Sequence, residues 1–174
     1  MFKFVKKINH QEVKLYNKIL TLSRNKLFYT KFRLNDTFQN RIYLIFIHIS
    51  FLFIKIKKQE KTFLYKNFYQ ALFDLIFEKI ELDMREIGHG DTAVNKNMRV
   101  LVKNFYNILL ICDGYMHKNK EYKKIFLRKY LTFYDDILDA NIIDLIQYFE
   151  KYHAFCFDLS SDSVLKGELN FTYK

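Results

Sequence analysis

The stretch MREIGHGDTAVNKNMR, from Met84 to Arg99, separates two helix-like runs and decides how the chain is organised. It holds Gly88 and Gly90, two of the four glycines in the sequence. A glycine adopts the left-handed conformation at a helix end at little cost, so Gly88 is predicted to stop one helix and Gly90 to permit a second sharp turn. Asp91 or Thr92 is then predicted to cap the next helix. The stretch therefore predicts a helix–turn–helix corner.

The runs on both sides of this corner repeat apolar residues at helical spacing, which predicts two long amphipathic helices. In residues 61–88 the predicted apolar face is Phe68, Leu72, Leu75 and Leu82, and the polar stripe is Asn67, Gln70, Asp74, Glu78, Glu81 and Arg85. The helix after the corner is predicted to bury one set of residues, Met98, Leu101, Val102 and Phe105, and to expose another, Lys96, Arg99 and Lys103.

Upstream, the run RIYLIFIHISFLFIKIKK, residues 41–58, is the most apolar part of the chain. Only His48 and Ser50 interrupt it between Ile42 and Ile54, and the run is shorter than the ~20 apolar residues of a membrane span. It predicts a core helix that is apolar all round, started by Asp36 with Gln39 reaching back. The alternative is a helix that lies on a membrane surface or binds a hydrophobic client.

The remaining sequence also favours helices, because the chain has no proline and few glycines. Residues 3–31 predict one or two short helices, and residues 119–134 and 135–157 predict two more. The tail, residues 160–174, is polar and predicted to be extended. The fold class is therefore an all-α, single-domain bundle of about six or seven helices.

Composition restricts the compartment and the partners. The formal net charge of +10 suits an anionic partner such as RNA, a ribosome surface or an acidic membrane face, although A/T-rich codons alone could supply many lysines. Cys112 and Cys156 lie among apolar residues, which predicts buried free thiols in a reducing cytosol. The N-terminus has no apolar segment of a secretory signal.

One acidic pattern resembles an enzyme motif. Asp135, Asp136 and Asp139 form the DDxxD sequence with which helical prenyl synthases hold magnesium and a diphosphate, but a second acidic motif is missing. The five histidines have no metal-ligand spacing, and no phosphate loop or activated nucleophile is present. We therefore predict no catalytic residues, no metal and no cofactor, and keep a prenyl-diphosphate enzyme as a minor alternative.

The stretch LDMREIGHGDTAVNKNMRVLVKNFY, residues 82–106, resembles the signature of the ubiquinol–cytochrome c chaperone family. The matching pattern is Arg-Glu-hydrophobic-Gly-x-Gly-Asp, then a valine, a cationic helix and a Phe-Tyr pair. The apolar run, the helix before the corner and the segment VLKGELNF extend the similarity over residues 13–171. We therefore assign 13–171 to a chaperone-like helical domain, preceded by an N-terminal extension at 1–12.

The resemblance implies a non-enzymatic chaperone and assembly factor for cytochrome b and the ubiquinol–cytochrome c reductase complex, respiratory complex III. Eukaryotic members work in mitochondria with a small partner subunit, and bind the ribosome tunnel exit and newly made cytochrome b. A bacterial member is expected in the cytoplasm, with peripheral contact to the inner membrane. A basic RNA- or ribosome-binding helical protein is the alternative function.

The corner stretch is also predicted to present a charged docking edge at one end of the bundle. The candidate binding residues are Arg85, Glu86, Asp91, Lys96, Arg99 and Lys103, with Gly88 and Gly90 as structural turn residues.

Overall fold

The structure is a computed structural model that describes residues 9–58 and 63–173. Within these residues the chain folds as a bundle of helices. The α-helices are α1 His10–Ser23, α2 Leu27–Thr30, α3 Phe38–Lys58, α4 Phe63–Glu86, α5 Asp91–Asp113, α6 Lys120–Tyr130, α7 Asp139–Asp158 and α8 Ser161–Leu165, with a 3₁₀ turn at Tyr115–His117. Helices α2 and α8 are short, with 4 and 5 residues, so six long helices build the bundle. The predicted all-α class is confirmed.

Helix α3 is the centre of the bundle and packs against α1, α4, α5, α7 and α8. Its 21 residues have the length and hydropathy of a membrane-crossing helix, but 83% of the apolar window is buried inside the protein. Its two interior polar residues are paired; the Ser50 hydroxyl, for example, donates to the Phe46 carbonyl at 2.7 Å. The predicted core helix is therefore confirmed.

The start of α3 differs from its prediction by one residue. The Thr37 hydroxyl, not Asp36, accepts a hydrogen bond from the backbone N–H of Asn40 at 3.1 Å. Asp36 instead pairs with Arg41, with 2.7 Å between the carboxylate and Nε. A bidentate charge pair to Arg41 holds the carboxylate more strongly than a neutral backbone donor would, which leaves the cap to the hydroxyl.

Asn40 joins distant parts of the chain. Its buried amide donates to the carbonyls of Asn35 and Thr132 at 2.7 and 2.8 Å, and its oxygen accepts from the N–H of Thr132 at 2.9 Å. An isolated antiparallel bridge between Leu34 and Phe133 lies beside it. These contacts tie the segment before α3 to the segment after α6.

The tail is not simply extended, as predicted, because it includes α8. The Ser160 hydroxyl caps this helix by accepting from the Ser163 N–H at 3.1 Å. Beyond it, Phe171 packs on Tyr148 and Tyr152 of α7, with ring centroids 5.6 and 5.1 Å apart. The predicted N-terminal extension lies mostly outside the described residues, as does the start of the helix predicted from residue 3.

Candidate binding surface on helix α5 and the α4–α5 corner

The corner between α4 and α5 begins with a glycine-dependent helix end. Gly88 has a φ of +96°, and its N–H donates to the Arg85 carbonyl at 3.0 Å. The next N–H, of His89, reaches back to the Met84 carbonyl at 3.1 Å. This pair of bonds is a Schellman motif, which requires a residue in the left-handed region at the position of Gly88.

Gly90 and the start of α5 differ from the expected turn. Gly90 has an ordinary φ of −72° and is itself the N-cap residue, so neither Asp91 nor Thr92 caps the helix. Asp91 is the first helical residue, where a carboxylate interacts favourably with the helix dipole.

The charges at the corner pair with each other. Arg85 forms an ion pair with Glu81 at 3.0 Å and a second one with Asp91 across the turn. Hydrogen bonds from the guanidinium to Asp91 and then to Glu81 raise the pKa of Arg85 above its usual range. Arg85 and Asp91 therefore join α4 to α5, whereas Glu86, also a predicted binding residue, is exposed at the end of α4.

The cations of α5 point away from the core, as predicted. Lys96, Arg99 and Lys103 are all exposed, and none of them forms an ion pair with any residue that the structure describes. On the opposite face Leu101 and Phe105 are buried with 7% and 1% exposure. Met98 and Val102, expected to be buried as well, are only half-buried against the core.

Apolar residues continue the same exposed face of α5. Val100, Tyr106 and Leu110 are 50%, 47% and 73% exposed and lie at helical spacing from the three cations. We call this set the α5 outer stripe: Lys96, Arg99, Val100, Lys103, Tyr106 and Leu110. The sequence prediction covers only the cations of this stripe, although the spacing of Tyr106 and Leu110 from Lys103 places them on the same face.

Leu110 also borders a groove that the sequence analysis missed. The groove lies between the C-terminal ends of α3 and α5 and the N-terminal end of α4, and has a volume of about 550 Å³. Phe53 and Tyr69, whose ring centroids are 3.9 Å apart, form part of its lining, and Lys57 and Lys66 also line it.

The buried histidine and the two buried cysteines are enclosed by the core of the bundle. His48 is fully buried, and its Nδ1 donates to the Leu44 carbonyl at 2.6 Å, which leaves Nε2 to accept from the Tyr148 hydroxyl at 2.8 Å. Burial lowers the pKa of His48 to about 4, so the ring is neutral at physiological pH. Cys112 and Cys156 are free and buried, as predicted, and burial raises the pKa of each thiol.

The DDxxD residues do not assemble into a magnesium clamp. Helix α7 begins only at Asp139, so Asp135 and Asp136 lie in the turn before it and not along one helix edge. Asp139 pairs with Lys124 at 2.7 Å, and Asp136 pairs with Arg33 at 2.6 Å. Within the described ranges no group of three histidine, cysteine or acidic side chains could hold a metal ion. The prenyl-diphosphate alternative therefore loses its proposed site.

The described residues form an all-α bundle with an exposed stripe that is partly cationic and partly apolar. The sequence model of one family, described as Ubiquinol-cytochrome C chaperone, matches residues 30–171. The chain belongs to this family, as the signature around the corner indicated.

A solved structure has the same fold. The crystal structure of the Cbp3 homolog from Brucella abortus aligns with a TM-score of 0.78 and 20% sequence identity, over 93% of this chain and 88% of that one. At this identity the likeness establishes the shared fold. A search of curated proteins found no match.

Proposed function

We propose that this protein is an assembly chaperone of the ubiquinol–cytochrome c reductase complex that holds newly made cytochrome b. The observation that carries the proposal is the family match over residues 30–171, which includes the corner and the whole α5 outer stripe. Membership of a chaperone family supports assembly of this complex as the process, and the stripe supports an apolar client.

The stripe has the chemistry that a membrane-protein client needs. A newly made membrane helix exposes apolar side chains to water, and burying them against Val100 and Tyr106 removes that surface from solvent. The neighbouring cations Lys96, Arg99 and Lys103 keep the same helix face hydrated until the client arrives. We assign the client contact to the apolar part of the stripe.

The cationic part of the stripe supports a second contact, with ribosomal RNA near the tunnel exit. Three cations without ion-pair partners in the described structure can bind phosphates without first breaking internal bonds. A ribosome contact at this end of α5 would bring the apolar part close to the emerging client. We further propose that the protein works with a small partner subunit. It would act in the cytoplasm beside the inner membrane, or in mitochondria for a eukaryotic member.

The test is deletion of the gene in the native host, followed by haem difference spectra and assays of each respiratory complex. Cytochrome b and complex III should fall while the other complexes remain. Complementation with Val100→Ser/Tyr106→Ser should restore less complex III than Tyr122→Ser/Ile125→Ser, a control on exposed residues of α6. Normal complex III in the deletion strain contradicts the proposal.

Crosslinking in the native cell separates this function from general RNA binding. The chaperone should crosslink to nascent cytochrome b, and the crosslink should weaken in Val100→Ser/Tyr106→Ser. Recovery of ribosomal RNA with no cytochrome b would favour the basic RNA-binding alternative.

A further inference from the structure

The groove between α3, α4 and α5 has an apolar floor and a charged edge. Its floor includes Phe53, Tyr69 and Leu109, and its volume of about 550 Å³ lies within the range of ~300–1,000 Å³ that is typical of small-ligand sites. Leu110 stands at its side and remains 73% exposed. A groove of this volume with a mostly apolar lining can take an apolar group of a ligand.

The charge at the edge of the groove is positive and unpaired. Lys57 lies in the last turn of α3 and Lys66 in the first turn of α4, and neither forms an ion pair within residues 9–58 and 63–173. One carboxylate, Asp113, also lines the groove. Lys58 follows Lys57 in the chain, but its ammonium lies 4.8 Å from the ring centroid of Phe157, outside the groove lining. The edge therefore suits an anionic group.

The first turn of α4 carries apolar side chains outside the groove. Phe63 and Leu64 are 78% and 62% exposed, directly before the groove residues Tyr65 and Lys66. A bound peptide segment would occupy the groove and leave these two side chains in water. A bilayer covers both, because apolar side chains beside lysines insert at the boundary between head groups and acyl chains.

We propose that this groove is a binding site for an anionic phospholipid of a membrane surface. An acyl chain lies on Phe53, Tyr69 and Leu109, and Lys57 and Lys66 contact the head-group phosphate. Phe63 and Leu64 rest in the interface beside the bound lipid. The site goes beyond client binding, since the groove shares only Leu110 with the apolar part of the α5 outer stripe. Together with the proposed function, it would hold the chaperone at the membrane that receives its client.

The first test measures binding to vesicles by flotation. The full chain should bind vesicles of equal parts phosphatidylcholine and phosphatidylglycerol, and bind pure phosphatidylcholine vesicles far less. Lys57→Gln/Lys66→Gln should lower the partition coefficient about 25-fold, since each lysine near an anionic surface contributes a factor of about five. The control Lys18→Gln/Lys26→Gln removes the same charge from exposed sites on and after α1 and should change it little. Equal losses in both variants would overturn the proposal.

The second test places a reporter in the groove. The chain has no tryptophan, so Leu110→Trp introduces a single tryptophan, whose fluorescence can be excited selectively over that of the 13 tyrosines. Anionic vesicles with brominated acyl chains should quench it, whereas the tryptophan of Ile125→Trp, at an exposed site on α6, should not be quenched. An unquenched tryptophan at 110 would overturn the proposal and leave the groove to a protein segment. Neither test contains cytochrome b, so lipid binding and the chaperone function can fail separately.

Discussion

At the residue scale, His48 makes the stability of the core depend on pH. The neutral ring is surrounded by aromatic rings, among them Tyr152 at a centroid distance of 4.7 Å, and its folded pKa is about 4. An unfolded histidine titrates near ~6.5, so the unfolded state binds more protons between these values. The stability that the neutral His48 ring gives the folded state is fully present above pH ~6.5. It is lost as the pH falls towards ~4, by about 3 kcal/mol in all.

His48→Phe tests this dependence. The variant leaves the buried Tyr148 hydroxyl without its acceptor, which should cost about 1–3 kcal/mol at neutral pH. It cannot be protonated, so its free energy of unfolding should fall less between pH 6.5 and 4 than that of the parent. Urea titrations of both proteins across this range measure the difference. Parallel curves would show that His48 does not control the acid sensitivity.

Gly88 and Gly90 allow a second comparison of single residues. Gly88→Val forces a β-branched side chain to a φ of +96° and should destabilise the protein by at least about 1–2 kcal/mol. Gly90→Ser is the control, because an added Cβ meets no atom within 4 Å and serine is a preferred N-cap residue. Thermal melts should show a loss for the first variant and none for the second. Equal melting temperatures would contradict the assigned role of Gly88.

Sequence pattern predicted Gly88 well and Asp36 poorly, for a physical reason. A glycine at the point where helical periodicity stops is a direct local signal of a helix end. By contrast Asp36 and Thr37 are both good caps, and the choice depends on Arg41 as a competing partner for the carboxylate. The buried Asn40 was missed because its acceptors include the Thr132 carbonyl, which is distant in sequence.

At the scale of elements, the α5 outer stripe can be separated from the stability of the fold. Lys96→Gln/Arg99→Gln/Lys103→Gln should leave the melting temperature almost unchanged, because exposed unpaired cations contribute little. Binding to ribosomes should weaken, with the salt dependence reduced by about one unit of slope for each lost phosphate contact. Lys14→Gln/Lys18→Gln/Lys26→Gln on and after α1 is a control of equal charge. If the variant co-sediments with ribosomes as the parent does at every salt concentration, the cations of the stripe do not contribute to ribosome binding and are only solvated.

Helices with a strong apolar period could be predicted from the sequence. The packing of their ends, and which of their apolar residues stay exposed, could not. The apolar run of α3 and the two-sided pattern of α4 are local signals. Leu82 was assigned to the apolar face of α4 but is 43% exposed, because the last turns of α4 bury the face that carries Ile80 and Met84 instead. The groove was missed since it depends on how the ends of three helices meet.

At the scale of the whole molecule, α1 and the C-terminal tail, as far as the structure describes them, close the bundle together. At Gly167, with a φ of +69°, an added Cβ would lie 2.7 Å from the Gln11 carbonyl oxygen of α1. The tail then reaches α7, where Tyr173 packs on Tyr148 at a centroid distance of 5.1 Å. This closure could not be predicted from a polar tail sequence, because its aromatic residues find their partners only in the folded bundle.

The closure predicts that the tail contributes to global stability. Phe171→Ala removes a ring that packs on Tyr148, Tyr152 and Phe155. The free energy of unfolding should fall by about 1–3 kcal/mol. This is less than the cost at a fully buried site, because Phe171 is half-buried. Phe63→Ala removes the same atoms from a side chain that is 78% exposed and should change stability little. Urea denaturation of both variants measures the contrast. Because α1, α7 and the tail share one core, the loss should appear as a shift of the single transition; a separate early transition would instead mean that the tail unfolds independently of the bundle.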